Sequence, residues 1–350
     1  MHINISVLAG DGIGPEVVAE TVKVLRAVGP AHDLTFDFTD ALIGAVAIDE
    51  TGDPLPGATV EACEASDAIL LGAVGTPKYD NDPSAKVRPE QGLLRLRKTF
   101  GLYANIRPIA TYERLYDASP LKTERVRGVD FVVYRELTGG AYFGKKGRGE
   151  TPDEAYDTIS YSRHEIERIA RMAFEAAKAR RGRLTLVDKA NVLETSRLWR
   201  ETVDVLARAY PEVTLEKMFV DNAAMQLIQR PAQFDVVLTE NMFGDILTDE
   251  ASVITGSIGL LPSASVGDGV ALFEPIHGSY PQAAGKGIAN PFGTILSGAM
   301  LLGHFGAHAA AAAVQEAVTA CLNAGEATED IPGSQGLSTS AVGDAVVARL

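Results

Sequence analysis

Residues 184–238 read LTLVDKANVLETSRLWRETVDVLARAYPEVTLEKMFVDNAAMQLIQRPAQFDVVL. The hydrophobic period changes repeatedly along this stretch. Leu184–Val187 is a short apolar run of strand type, and about Thr195–Ala209 carries apolar residues at helical spacing. Leu215–Val220 again reads as strand, about Ala223–Gln229 as helix, and Phe234–Leu238 as strand. Strand–helix–strand–helix–strand with short connections indicates an α/β protein with much parallel sheet.

Working outward, the pattern continues. Ser162–Arg181 is the clearest helix: Ser162 and Glu165 form a capping-box pair, and Ile166, Ile169, Ala173 and Ala177 recur on one face. The chain opens with a strand, Ile3–Ala9, then a Gly-rich turn, then a helix from Pro15, where proline suits the first helical position. Leu34–Phe38 and Ser66–Leu71 are further strand-like runs. Downstream, a helix starts near Gly244, and the part from about Gly298 is Ala-rich and helical. Thr138–Tyr161 (TGGAYFGKKGRGETPDEAYDTISY) breaks the rhythm. It is Gly-rich, charged and aromatic, and reads either as a long surface loop or as a protruding arm used in subunit contact.

Composition sets outer limits. The chain has 350 residues, 46% of them hydrophobic and 22% charged, which is ordinary for a globular protein of about two domains. A net charge of -14 argues against nucleic acid or an anionic membrane as the main partner. It does not exclude an anionic substrate, because a local arginine cluster can sit inside an acidic shell. Cys63 and Cys321 form no metal-binding pair by spacing and read as buried, idle thiols. The opening MHINISVLAGDG reads as a strand, not a signal peptide, and no apolar run approaches the roughly 18 residues a membrane span needs. A cytoplasmic location is expected.

Five constellations can carry chemistry. The turn Gly10-Asp11-Gly12-Ile13-Gly14-Pro15 sits between strand and helix but lacks GxGxxG spacing; it is either a tight structural turn or a dinucleotide-type turn. Arg97, Arg107 and Arg135 are of the type that grips carboxylates bidentately, although solvated surface arginines are the plainer reading. Asp245 and Asp249 share a helix face at i, i+4 spacing and repel unless something positive lies between them. With Asp221, just past a strand end, they make a candidate oxygen ligand set for a hard divalent cation; the alternative is a helix cap and a wet face. Lys189, just past a buried strand, is placed to be desolvated toward a general base, and Tyr142 can act as an acid. Residues 273–291, FEPIHGSYPQAAGKGIANP, suit a loop that clamps a flat ligand. Zinc is not expected, since the six histidines show no HxxxH-type spacing.

The segments GDGIGPEV, GLLRLRKTFGLYANIRP, YRELTGGAYFG, VDKANVLE, FVDNAAMQL, FGDILTDEAS, EPIHGS and GKGIANP occur in that order over almost the whole chain. In this the sequence resembles the metal-dependent β-decarboxylating dehydrogenases, the isocitrate/isopropylmalate dehydrogenase family. The resemblance implies a non-Rossmann fold of two α/β domains around a large mixed sheet. Residues 1–102 plus 256–350 would form a large cofactor-binding domain. Residues 103–255 would form a middle domain with the dimer contacts and an arm at about 138–161.

It further implies a homodimer with shared active sites, Lys189 and Asp221 reaching in from the neighbouring subunit. Arg97, Arg107 and Arg135 would hold substrate carboxylates. Asp221, Asp245 and Asp249 would bind Mg2+ or Mn2+, Asp221 also touching substrate. Lys189 would take the C2 hydroxyl proton while hydride passes to NAD. The 2-oxo acid would then lose CO2, with the metal acting as a Lewis acid and Tyr142 helping to protonate C3. Leu93, Leu94 and Val192 would wall an apolar slot for an isopropyl group, which makes the expected substrate 3-isopropylmalate, a small-molecule acid of leucine biosynthesis. D-malate, tartrate or homoisocitrate is the alternative. A non-catalytic paralogue is disfavoured, because Tyr142, Lys189 and the three aspartates are all present. Glu90, Glu274, His277, Gly278, Ser279, Tyr280, Gln282 and Asn290 would line the cofactor site. Many members carry Asp in GSxPD, which favours NAD; here Gln282 stands in that place. NAD remains the expectation, because no Lys or Arg at 280–285 would welcome a 2′-phosphate.

Overall fold

The computed structural model describes residues 1–82, 84–151 and 153–350. The chain begins β1 (His2–Gly10), α1 (Gly14–Val28), β2 (Thr35–Asp40), α2 (Ala45–Thr51), α3 (Gly57–Glu64), β3 (Ala68–Ala73), α4 (Pro77–Asp80) and α5 (Pro89–Thr99). Its middle runs β4 (Ala104–Ala110), α6 (Thr123–Val126), β5 (Asp130–Glu136), β6 (Lys146–Arg148), β7 (Ala155–Asp157), α7 (Arg163–Ala179), β8 (Arg183–Asp188), α8 (Glu194–Ala207), β9 (Thr214–Phe219), α9 (Val220–Gln229), β10 (Val236–Thr239) and α10 (Asn241–Ser252). It ends β11 (Pro262–Val266), β12 (Ala271–Pro275), α11 (Phe292–His304), α12 (His308–Ala324) and α13 (Thr339–Val347). No helix among the described residues is long and apolar enough to cross a membrane.

The chain divides into two units, Met1–Leu102 with Gly256–Leu350, and Tyr103–Thr255. The first carries the strand order β2-β1-β3-β12-β11. β1 pairs parallel with β2 and β3, and β3 with β12, while β11 closes antiparallel on β12. Every residue of β3 (AILLGA) is buried, so the sheet is covered on both faces and the strand reads as one unbroken apolar run. Leu8, Ile43, Leu55, Ile69, Leu71, Leu96 and Leu272 pack one core around buried Cys63. Burial pushes the Cys63 thiol up to about 11, and Cys321 is also buried and free.

The second unit has strand order β4-β5-β10-β8-β9. The βαβαβ stretch folds into parallel β10, β8 and β9, and β5 runs parallel beside β10. β4 is antiparallel to β5, which the proline-interrupted ANIRPIA gave no sign of in sequence. Inside, Trp199 meets Tyr161 edge to face at 5.5 Å, and Phe131 lies 5.8 Å from Phe234. Helix α7 starts at Ser162 with both capping-box hydrogen bonds formed. Within 138–161 the chain forms an exposed two-stranded hairpin, β6–β7; Pro152 lies outside the described residues.

Candidate active site

Because β5, β8, β9 and β10 are parallel, their carboxyl ends lie on one side of the second unit. Open α/β sheets build their sites at that side. Arg135 is the next-to-last residue of β5, Lys189 follows β8, Asp221 follows β9 and Asn241 follows β10. β4 adds Arg107, opposite Val133 in the register.

Arg135 is 3% exposed. Its Nε and Nη2 donate to Asn241 Oδ1 at 3.1 and 2.8 Å, and its Nη1 pairs with Asp245. The guanidinium lies 5.6 Å over the Tyr142 ring. The Tyr142 hydroxyl donates to Asp245 Oδ2 at 2.5 Å. Partial burial, reinforced by that carboxylate, pushes the phenol up to about 12, so it holds its proton at neutral pH. Arg107 donates to Thr248 Oγ1 at 2.7 Å and reaches Asp249 at 3.5 Å. Gly244 leaves room for this packing: a Cβ there would lie 2.6 Å from Arg135 Cγ.

Lys189 Nζ donates to Asp221 Oδ1 at 2.5 Å. That hydrogen bond holds the Asp221 carboxyl below its ordinary range. The two are supported from behind. Arg200 grips buried Asp188 through Nε and Nη2 at 2.6 and 3.0 Å, and stacks 4.9 Å over the Phe219 ring. Strand end and helix start are thereby tied together.

The first unit holds the remaining expected residues except Val192. Arg97 pairs with Glu274 at 2.9 Å, both nearly buried, and Arg97 Nε is buried with no hydrogen-bond partner among the described residues. A cavity of about 570 Å³ is walled by Ile13, Ile258 and Ile288 and edged by His277, Tyr280, Asn290 and Asp330. The mix of apolar walls and a few polar groups suits a flat, partly polar ligand. His277 Nε2 is buried there with no hydrogen-bond partner among the described residues, and burial lowers the imidazole pKa, keeping the ring neutral. Tyr280 adopts φ 38°, a left-handed conformation unusual for a non-glycine residue and of the kind stored at ligand loops. Glu90 and Ser279 both face Gly75, where an added Cβ would lie 2.9 Å from Glu90 Oε1 and 3.7 Å from Ser279 Oγ. Gln282 is exposed beside the cavity wall.

The GDGIGP turn is structural and also contributes to the cavity. Asp11 accepts from the first amides of α2 (Ala45 N 2.8 Å, Val46 N 3.0 Å) and from Gly75 N at 2.8 Å, and Ile13 lines the cavity. Gly12, at φ 59°, is packed so that a Cβ would lie 2.0 Å from Ser279 O.

The donors fit a hard divalent cation in kind, since all three are carboxylates. Among the described residues, however, no group of three acidic, histidine or cysteine side chains in one chain can hold a metal. Asp245 and Asp249 lie one turn apart near Arg135 and Arg107, whereas Asp221 pairs with Lys189. Of the slot residues, Leu93 packs partly against the first unit's core, Leu94 is 39% exposed and Val192 is 61% exposed. Asn241 and Asp330 are not singled out in the sequence, whereas Ile13 lies in the Gly-rich turn that is. Asp330 holds Asn290 Nδ2 and Ser257 Oγ, contacts spanning 40 and 73 residues that no local pattern announces.

Residues 4–346 match the family model described as isocitrate/isopropylmalate dehydrogenase. The chain is 58% identical to the 3-isopropylmalate dehydrogenase of Moorella thermoacetica, over 98% of this chain and 97% of that one. It is 55% identical to that of Halalkalibacterium halodurans, over 99% and 97%. Among solved structures it resembles isocitrate dehydrogenase from Methylococcus capsulatus, with TM-score 0.88 and 36% identity, covering 100% of this chain and 99% of that one.

Proposed function

The chain belongs to the isocitrate/isopropylmalate dehydrogenase family, and from that premise we propose that it oxidises and decarboxylates 3-isopropylmalate to 4-methyl-2-oxopentanoate and CO2, with reduction of NAD, in leucine biosynthesis. The observation that carries this reading is the cluster in which a buried arginine, a protonated phenol and an aspartate share hydrogen bonds: Arg135, Tyr142 and Asp245. The relatives named 3-isopropylmalate dehydrogenase support the choice of acid.

Arg107 and Arg135 hold substrate carboxylates, since bidentate guanidinium forks match that geometry. Lys189 of a second copy, in its unprotonated form, accepts the C2 hydroxyl proton; NAD, when bound, would take the C2 hydride, leaving a 2-oxo acid. In the resulting 2-oxo acid the bond from C3 to its carboxylate breaks, CO2 departs, and the electron pair moves toward the C2 oxygen. Tyr142 then delivers a proton to C3. Asp245 and Asp249, with Asp221 of the second copy, would hold Mg2+ or Mn2+, which when bound would supply Lewis-acid stabilisation of developing negative charge.

The second copy is part of the proposal. On α9, Asp221 lies on the same face as Met225 and Ile228, at i+4 and i+7, and both apolar residues are half or more exposed. On α10, Asp249 shares a face with Ile246 and with Val253 at the C-cap, both more than half exposed. An apolar face this bare on two adjacent helices calls for cover. A homodimer would bury it, complete the three-aspartate set, and give the β6–β7 hairpin a partner to grip as an arm. The cavity supports NAD over NADP: among the described residues no Lys or Arg lines it and Asp330 does, so a 2′-phosphate would find no counter-charge there. A cytoplasmic location accords with this small-molecule chemistry.

The test is an NADH assay of the purified protein with Mg2+ or Mn2+. 3-Isopropylmalate with NAD should give the highest kcat/KM among 3-isopropylmalate, D-malate, tartrate and homoisocitrate, each run with NAD and NADP. A preference for another acid, or no NADH formed, overturns the assignment.

A further inference from the structure

Asn241, the first residue of α10 and two positions past β10, has no part in the chemistry described so far, yet it is fully buried and touches three pieces of the site. Its side-chain oxygen accepts both Nε and Nη2 of Arg135. Its amide nitrogen donates to Gly139 O at 3.1 Å. Its backbone N–H donates to the Tyr161 hydroxyl at 3.0 Å, and that hydroxyl donates onward to Glu240 Oε2 at 3.0 Å. Both ends of the amide are therefore used, in an interior where a lost partner is costly.

Gly139 begins the turn that carries Tyr142, and its peptide groups are held from two sides. Its N–H goes to Glu136 Oε2 at 2.7 Å, while its carbonyl takes the Asn241 amide. Glu136 is itself fully buried and also accepts Thr138 N and Oγ1, so this end of the turn is rigid. The turn admits no side chain where it passes the network: a Cβ on Gly139 would lie 2.6 Å from the Tyr161 ring, and one on Gly140 (φ 70°) 2.3 Å from the Tyr161 hydroxyl.

We infer that Asn241 is a positioning residue that sets the substrate-gripping Arg135 and the Tyr142 turn in one fixed relation through the two ends of a single amide. The inference rests on the functional reading above, in which Arg135 binds substrate and Tyr142 gives the proton to C3. The two ends have separable consequences. The oxygen orients Arg135 so that Nη1 faces the Asp245 side, which governs substrate binding. The nitrogen fixes Gly139 and, through it, the reach of Tyr142, which governs the proton step and not the grip.

Two variants separate these effects, once the wild-type protein has been shown to turn over 3-isopropylmalate; failure at that first step refutes the functional reading and not this one. Asn241→Asp keeps an acceptor for Arg135 but has no donor for Gly139 O. It is nearly isosteric, and its fold is checked by circular dichroism. It should lower kcat about tenfold or more and leave KM for 3-isopropylmalate within about threefold, as expected for loss of one buried hydrogen bond on the proton-step side alone. Asn241→Ala loses both ends and should show the same fall in kcat together with a KM raised about tenfold or more, because a charged group has lost its acceptor. The proposal is overturned if the Asp variant has wild-type kcat, or if the two variants change KM to the same extent. If the Ala variant does not fold, the Asp variant decides alone: lowered kcat at near-constant KM supports the proposal, and any other pattern overturns it.

Discussion

Lys189 and Asp221 sit at the two strand ends that Arg200 ties together, and they form an ion pair without help from a third acid. In the proposed reaction Lys189 is the base, and general bases contribute on the order of 10²–10⁴-fold. Lys189→Ala should therefore lower kcat at least about a hundredfold. Light scattering should still find it dimeric, because the side chain contributes no apolar area to the exposed α9 and α10 faces. Near wild-type turnover would remove Lys189 from the role of base. At this scale much was legible in sequence. Arginine before carboxylate chemistry, aspartates one helical turn apart and a lysine past a buried strand each follow from local residue type and spacing. Asn241 and Asp330 did not stand out, because their work is done on partners far along the chain. Asn241 faces Arg135, 106 residues away, and an asparagine after a strand otherwise reads only as a cap or turn residue.

Among the elements, α10 has the most constrained face. It carries Asp245 and Asp249 outward and Gly244 inward beneath Arg135. Gly244→Ala ordinarily favours a helix, by about 1 kcal/mol of propensity. Here the new methyl would overlap Arg135 Cγ and Cβ at 2.6 and 2.8 Å. We expect thermal stability to change little or to fall, and KM for 3-isopropylmalate to rise several-fold as the guanidinium is pushed from Asn241. An unchanged KM in steady-state kinetics would show that the position of Arg135 is not critical. The parallel core β10-β8-β9 was readable because buried strands alternating with amphipathic helices leave a strong periodic trace. The antiparallel β4 was not. Its pairing with β5 is fixed by a connection that turns back, and Pro108 masks its strand character. The 138–161 segment showed only that it departs from core periodicity; the hairpin inside it is fully exposed and left no apolar signature.

For the whole molecule, the sequence resemblance implies one site assembled from two chains, and the proposed dimer gives that arrangement a physical reason. One chain offers Asp245, Asp249, Arg107, Arg135 and Tyr142 together, offers Asp221 and Lys189 as a separate pair, and gathers no three-acid set among the described residues. The exposed apolar residues of α9 and α10 flank both groups. A two-fold contact through those faces meets itself, so each copy would lend its pair to the other's cluster. Complementation tests this directly. Lys189→Ala and Asp245→Asn are each expected to be inactive alone. When the two proteins are co-expressed, a mixed dimer brings the intact lysine of one chain to the intact aspartate of the other. Random pairing then makes half the dimers mixed, each with one working site of two, so 3-isopropylmalate oxidation should return to about a quarter of the wild-type rate. Activity no higher than that of either variant alone would contradict the shared site and place Lys189 and Asp245 in service of the same chain.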